Sequence, residues 1–279
     1  MLTAIEFKNF TGVPHLEGTN CAKKYKNKFK FSTEKPNVIL GANGDGKSAL
    51  MQAIALRFLA WYTNESAITD NYIGESEAKG FWREVSRWGG EYEYLPGMTC
   101  ETDNAPALFY RPGHLPGNEA DVTHAMMMGF FEEAKAYGLA TQNKSSGQQS
   151  QALLERIIKV LEGEPGPSEY LFKNWRYGKK PLDFTGRGWV GDYDHKGEQL
   201  KKMFADTKGG IPLILMDEPE QSLDARAELS MWSKISAADC SRVQIIVATH
   251  SIYPILHPER FNIIEASKGY MSEVKSMMG

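Results

Sequence analysis

The chain has 279 residues, 42% of them hydrophobic and 24% charged, with a net charge of −3. The length suits one large α/β domain, or a domain plus an inserted lobe; the composition is ordinary for a soluble globular protein, and the charge excludes a uniformly basic nucleic-acid sleeve. Three scattered cysteines, Cys21, Cys100 and Cys240, form no Cys-x-x-Cys pair, which argues for free thiols in a reducing compartment and against a zinc site.

No signal-peptide h-region opens the chain and no run of about 18 apolar residues occurs, so the expected location is cytoplasmic, without a membrane. Alternation over Thr3 to Phe10 predicts a first strand. Lys24 to Phe31 predicts a second, with Lys24, Lys26, Lys28 and Lys30 on one face and Tyr25, Phe29 and Phe31 on the other. The lysine face reads first as a solvated edge protected from aggregation, and second as a contact for nucleic-acid phosphates.

The apolar run Val38 to Leu40 predicts a strand, and Lys47 to Trp61 a helix. Between them, Gly41-x-x-x-x-Gly46-Lys47-Ser48 fits the Walker A pattern of a phosphate-binding loop. Its backbone N–H groups can cradle phosphates, Lys47 can reach the β/γ oxygens, and Ser48 can hold Mg²⁺. A plain Gly-rich turn would leave Lys-Ser at that spacing unexplained.

Residues 63–104 are polar, aromatic and weakly periodic, as expected of an inserted lobe; Ala107 to Tyr110 returns as a strand ending at Arg111. Ala125 to Tyr137 predicts a helix. Ser145 to Gln149 precedes an amphipathic helix with Leu153, Leu154, Ile157, Ile158 and Leu161 on one face. A second excursion spans about 165–205, where Lys173 to Lys180, Arg187 and Trp189 interleave cations with rings. That interleaving suits a single-strand binder or a small partner-docking lobe.

Ile211 to Met216 predicts a buried strand ending in Asp217 and Glu218, a Walker B arrangement. Asp217 would hold Mg²⁺ beside Ser48, and Glu218 would polarise the attacking water. A helix from Asp224 to Ala238, a strand from Val243 to Ala248 ending at His250, and a strand from Phe261 to Glu265 complete the chain. Strands alternating with helices imply a mixed, largely parallel sheet with helices on both faces.

The run Asp217-Glu-Pro-Glu-x-Ser-Leu-Asp224 resembles the Walker B and D-loop of ATP-binding-cassette (ABC) ATPases, and more narrowly the RecF/SMC-type branch that includes OLD-family and related phage-defence ATPases. Ile5 to Phe10 resembles that branch's first strand, Gly41-Ala-Asn43-Gly44-Asp-Gly46-Lys47-Ser48-Ala49 its phosphate loop, and Val247 to Ser251 its switch-histidine segment. Lys144-Ser-Ser146-Gly147-Gln148-Gln149 resembles a degenerate form of its signature Leu-Ser-Gly-Gly-Gln. These motifs run in the family's order from residue 3 to about 265, with both excursions uncovered.

The resemblance implies a P-loop NTPase with the ABC-ATPase head architecture over residues 1–279. Two copies would sandwich two ATP molecules. Ser146, Gly147 and Gln149 of one copy would face the other's phosphate loop, His250 would contact the γ-phosphate, and Asp224 would couple the two sites. The signature departs at Ser145 and Gln148, and between Ser48 and Lys144 only Gln52 and Gln142 are glutamines, so Arg111 is the candidate for the place of the Q-loop glutamine. The implied setting is phage defence or DNA repair, with a separate effector protein and DNA as candidate partners. A transporter's nucleotide-binding subunit and an ATP sensor without turnover are the alternatives.

Overall fold

The computed structural model describes residues 1–8, 16–58, 61–62, 98–103, 107–112, 146–162, 211, 213–221 and 223–279. The helix expected over Ala125 to Tyr137, the Lys173 to Lys180 segment with Arg187 and Trp189, and nearly all of the two inserted lobes lie outside the described residues.

Strands β3 (Asn37–Leu40), β7 (Leu213–Asp217) and β8 (Gln244–Thr249) are buried at every position. Such strands read as continuous apolar runs because helices cover both faces of a parallel sheet. With β4 (Trp61–Tyr62), β6 (Ala107–Tyr110) and β9 (Asn262–Glu265) they form one sheet in the order β4-β6-β7-β8-β3-β9. All five pairings are parallel. The registers Leu40↔Thr249, Asp217↔Ala248 and Tyr110↔Met216 bring the carboxyl ends of β3, β8, β7 and β6 to one edge.

A second sheet is antiparallel, in the order β2-β1-β5, from β2 (Lys28–Lys30), β1 (Leu2–Phe7) and β5 (Met98–Thr102). The last residues of the first expected lobe therefore return as β5, beside β1. Gln244, the first residue of β8, joins the two sheets. Its Oε1 accepts from Leu2 N at 2.6 Å, and its Nε2 donates to Leu2 O at 2.8 Å and to Ser32 O at 3.1 Å.

The strand expected over Lys24 to Phe31 is corrected. Residues Asn20–Lys24 are a helix, α1, capped by the Thr19 side chain and burying Cys21 and Ala22. A turn closed by Lys28 N to Tyr25 O at 3.0 Å follows, with Lys26 and Asn27 at φ 50° and 63°. Only Lys28–Lys30 is strand. The alternation over Tyr25 to Phe29 arises from a helix end and a left-handed turn, so the four lysines do not line one strand face; only Lys28 and Lys30 alternate on β2. Lys24 turns to Glu265 at 3.2 Å and Lys28 to Glu6 at 3.6 Å. Lys28 and Lys30 sit on the sheet's edge strand, where charge discourages edge pairing.

Helix α2 (Lys47–Phe58) packs across β6, β7 and β8; it ends before Trp61, which opens the edge strand β4 instead of closing the helix. Helix α3 (Ser146–Leu161) begins at Ser146, so the Ser146 to Gln149 segment is its first turn and not a lead-in. Its buried Leu154, Ile157, Ile158 and Leu161 cover α4 (Ala225–Ser236). Trp232 of α4 stacks on Tyr253 of α5 (Tyr253–Leu256) at 6.0 Å and meets Phe261 edge-on at 5.7 Å, tying α4 to the end of the parallel sheet. A final helix, α6 (Tyr270–Met277), closes the chain. No helix among the described residues is long and apolar enough to cross a membrane.

Candidate functional site

The loop between β3 and α2 is built from close approaches that only glycine allows. A Cβ on Gly41 would lie 2.7 Å from Ala266 Cβ and 2.8 Å from Asp45 Oδ2. Gly46 has φ 97°, and its Cβ would meet Thr19 at 2.5 Å. Asn43 and Gly44 are exposed at the tip, while Ala49 is buried behind it. Asp45 staples the loop: Oδ2 accepts from Ala42 N at 2.7 Å and Oδ1 from Asn20 Nδ2 at 2.8 Å. Burial opposes its charge, yet the hydrogen bonds from Asn20, Ser267 and Ala42 outweigh burial and hold the carboxyl below its ordinary range.

Lys47 is 4% exposed. Its Nζ donates to Gly41 O and Ala42 O, both at 3.0 Å, and stands 3.0 Å from His250 Nε2. Burial lowers its pKa, and the carboxylates of Glu218, Asp217, Asp45 and Glu220 pull the other way. One residue on, Ser48 Oγ donates to Asp217 Oδ1 at 3.1 Å. Asp217 is fully buried, and burial pushes its pKa up to about 6 despite Arg111, Ser48 and Lys47. Arg111 Nε lies 3.4 Å from Asp217 Oδ2, an ion-pair contact that leaves Oδ2 without a hydrogen bond.

Glu218 follows β7 directly, in a conformation that side chains rarely adopt, with φ 50°. Its N–H still donates to Ala248 O at 2.8 Å, so the ladder holds its amide while the left-handed turn swings the chain out of the strand. The side chain reaches His250, with Oε1 at 2.9 Å from Nε2. Strain of this kind, of order 1–3 kcal/mol, persists where surrounding structure enforces it and clusters at working sites. A single ring nitrogen thus faces both Lys47 and Glu218. It accepts from the ammonium when it carries the lone pair and donates to the carboxylate when it carries the hydrogen.

Three adjacent parallel strands therefore bring Lys47, His250 and Glu218 into one continuous contact, with Ser48 and Asp217 alongside. The contact lies at the carboxyl edge, where open α/β sheets bind ligands. Arg111 joins it at the end of β6. Asp224 caps α4, accepting from Ala227 N at 2.9 Å, and is exposed. Ser146, Gly147 and Gln149 lie in the first turn of α3, and their side chains fall outside the described residues. Among the described residues no group of three or more His, Cys, Asp and Glu could hold a metal ion. The candidate metal pair is one hydroxyl and one carboxylate, Ser48 and Asp217.

Sequence reasoning assigned no role to Thr19, Asn20 or Asp45, which shape the loop, nor to Glu220, which accepts from Thr249 Oγ1 at 2.5 Å and His250 N at 3.0 Å. The Asp-Glu-Pro-Glu run displayed Glu220, but its partners lie about thirty residues away and no local spacing announces them. No protein-family model matches the chain, and a search of curated proteins finds no match to it.

Proposed function

We propose that this chain is a P-loop ATPase with ABC-type head architecture, hydrolysing ATP at the Gly41–Ser48 loop with Mg²⁺. The observation that carries the reading is the convergence of Lys47, His250 and Glu218, 3.0 and 2.9 Å apart in series, beside the Ser48–Asp217 pair. The loop's N–H groups and the start of α2 offer the positive end of a helix to an anion. Lys47 adds a buried cation that a phosphate oxygen would share with His250. Glu218 is placed to take a proton from water, and His250 holds the carboxylate in place.

The residues fit a divalent cation: Asp217 keeps a buried carboxylate oxygen without a hydrogen bond, and the Ser48 hydroxyl is 3.1 Å from its other oxygen. Ser48 and Asp217 would hold Mg²⁺ there, and the ion would supply positive charge to offset that of the phosphates. On the same reading two copies close head to tail on ATP. Ser146, Gly147 and Gln149 at the start of α3 face the other copy's nucleotide, and Asp224 lies between the sites. The work served is that of a DNA- or effector-associated machine, of the kind used in phage defence or repair.

The test is a multiple-turnover phosphate-release assay with ATP and Mg²⁺, run beside nucleotide-binding titrations. Turnover by the wild type, with affinity lost in Lys47→Ala, is the expected result. A wild type that releases no phosphate, or a Lys47→Ala variant with unaltered affinity, overturns the assignment.

A further inference from the structure

We propose that Glu220 is the positioning residue for His250: through one carboxylate oxygen it holds the Thr249 hydroxyl and the His250 backbone amide, and so fixes where the imidazole stands between Lys47 and Glu218. The role in turnover rests on the ATPase reading above; the placement of the ring does not.

The sheet itself stops short of His250. The last pairings of β8 are Leu40↔Thr249 on one side and Asp217↔Ala248 on the other. Beyond them, side chains replace the ladder. Glu220 Oε1 takes His250 N at 3.0 Å, Thr249 Oγ1 takes Ser251 N at 2.9 Å, and Ser251 Oγ takes Tyr253 N at 3.2 Å. Each hydroxyl passes the constraint on, because Thr249 Oγ1 donates to Glu220 Oε1 at 2.5 Å and Ser251 Oγ to Glu228 Oε1 of α4 at 2.5 Å. The backbone of His250 is thus fixed by a chain of acceptors running from Glu220 to α4.

Glu220 also lies two residues after Glu218, in a turn closed by Gln221 N to Glu218 O at 3.1 Å and Leu223 N to Glu220 O at 2.9 Å. One short turn therefore carries both the carboxylate that meets the imidazole and the acceptor that holds its backbone. A buried carboxylate is a costly way to satisfy a loop. Here only Oε1 is used, and Oε2 is buried without a partner. A staple needing no more than packing would be served as well by an apolar side chain. Burial raises the Glu220 pKa, and the hydrogen bonds donated by Thr249 and His250 oppose that rise, favouring the carboxylate that accepts them.

The test follows the His250 imidazole directly, by the Cε1–Hε1 cross-peak of the full-length protein, assigned with His250→Gln. Glu220→Met, of similar volume but without an acceptor, is expected to shift that cross-peak and to lower kcat about tenfold or more, with the ATP KM within about twofold. Glu220→Gln, which keeps an acceptor oxygen, is expected to restore both toward wild type. In a His250→Ala background, Glu220→Met should add no further loss, because it acts through the imidazole. Should Glu220→Met fail to fold, Thr249→Val, which removes one donor at constant volume, is expected to move the cross-peak in its place.

An unmoved cross-peak in a folded variant, equal impairment of Met and Gln, or losses that multiply with His250→Ala would each overturn the proposal. A wild type without turnover would overturn the ATPase reading alone, leaving the cross-peak to decide the role of Glu220.

Discussion

Ser48 and Asp217 meet across 3.1 Å, joining the first turn of α2 to the end of β7 although 169 residues separate them. The pair is bought at a cost in stability, because the carboxylate is buried and its second oxygen has no hydrogen bond. Burial lifts Asp217 from 3.8 to about 6, so the folded state holds its proton more tightly than the unfolded chain does. The associated stability is therefore present below the unfolded value and is lost as pH rises through about 6. In metal-free buffer, stability should fall over that window by up to about 3 kcal/mol, taking about 1.4 kcal/mol per unit. Asp217→Asn should flatten the fall and be the more stable protein above it. Denaturant titrations in chelator across pH check this, and identical profiles for the two proteins would refute it.

For Glu218→Gln, hydrolysis should drop by about 10²-fold, as expected when a general base is lost. ATP-dependent dimers should accumulate, measured by light scattering after size exclusion. Normal hydrolysis in that variant would remove Glu218 from the role of base.

The backbone of the same residue makes a separate prediction. Both Glu218→Ala and Glu218→Gly lose the contact with His250, but only alanine keeps a side chain at φ 50°. Glycine should therefore be the more stable replacement by about 1 kcal/mol, the reverse of the order in ordinary strands. Chemical denaturation of the two variants decides the point.

Gly44 and Gly46 separate conformational strain from crowding. Both have positive φ, 84° and 97°, yet a Cβ on Gly44 meets nothing within 4 Å while one on Gly46 runs into Thr19 Cβ at 2.6 Å. Gly44→Ala should cost about 1 kcal/mol. Gly46→Ala should cost at least about twice that, because Thr19 is held by its hydrogen bond to Leu16 O at 2.9 Å and cannot retreat freely. Equal destabilisation of the two would show that the crowding is relieved without cost.

Parts of this architecture are legible in the sequence because they are written locally. Gly41 to Ser48 is spelled by glycines at fixed spacing, and β3, β7 and β8 are continuous apolar runs that only a covered parallel sheet tolerates. Glu218 and His250 stand at strand ends, so their convergence follows once those strands lie beside one another. Lys24 to Phe31 misleads because Thr19 caps a helix that ends within the alternating stretch, and period-two hydrophobicity cannot distinguish that from a strand. The ion pair of Arg111 with Asp217 depends on β6 lying next to β7, a fact of topology rather than composition. Glu220 is hidden for the same reason, since its two donors stand at the end of another strand.

The link between Gln244 and Leu2 has a consequence at the opposite end of β8. Gln244 opens that strand and Thr249 closes it, so the amide that grips Leu2 acts as an index pin for the whole rod. A slip of one residue against β3 and β7 would carry His250 about 3.3 Å along the sheet and turn every side chain of the strand to the other face. With the first strand of the chain clamped to its foot, β8 is indexed, and the imidazole at its head arrives in line with Lys47 and Glu218.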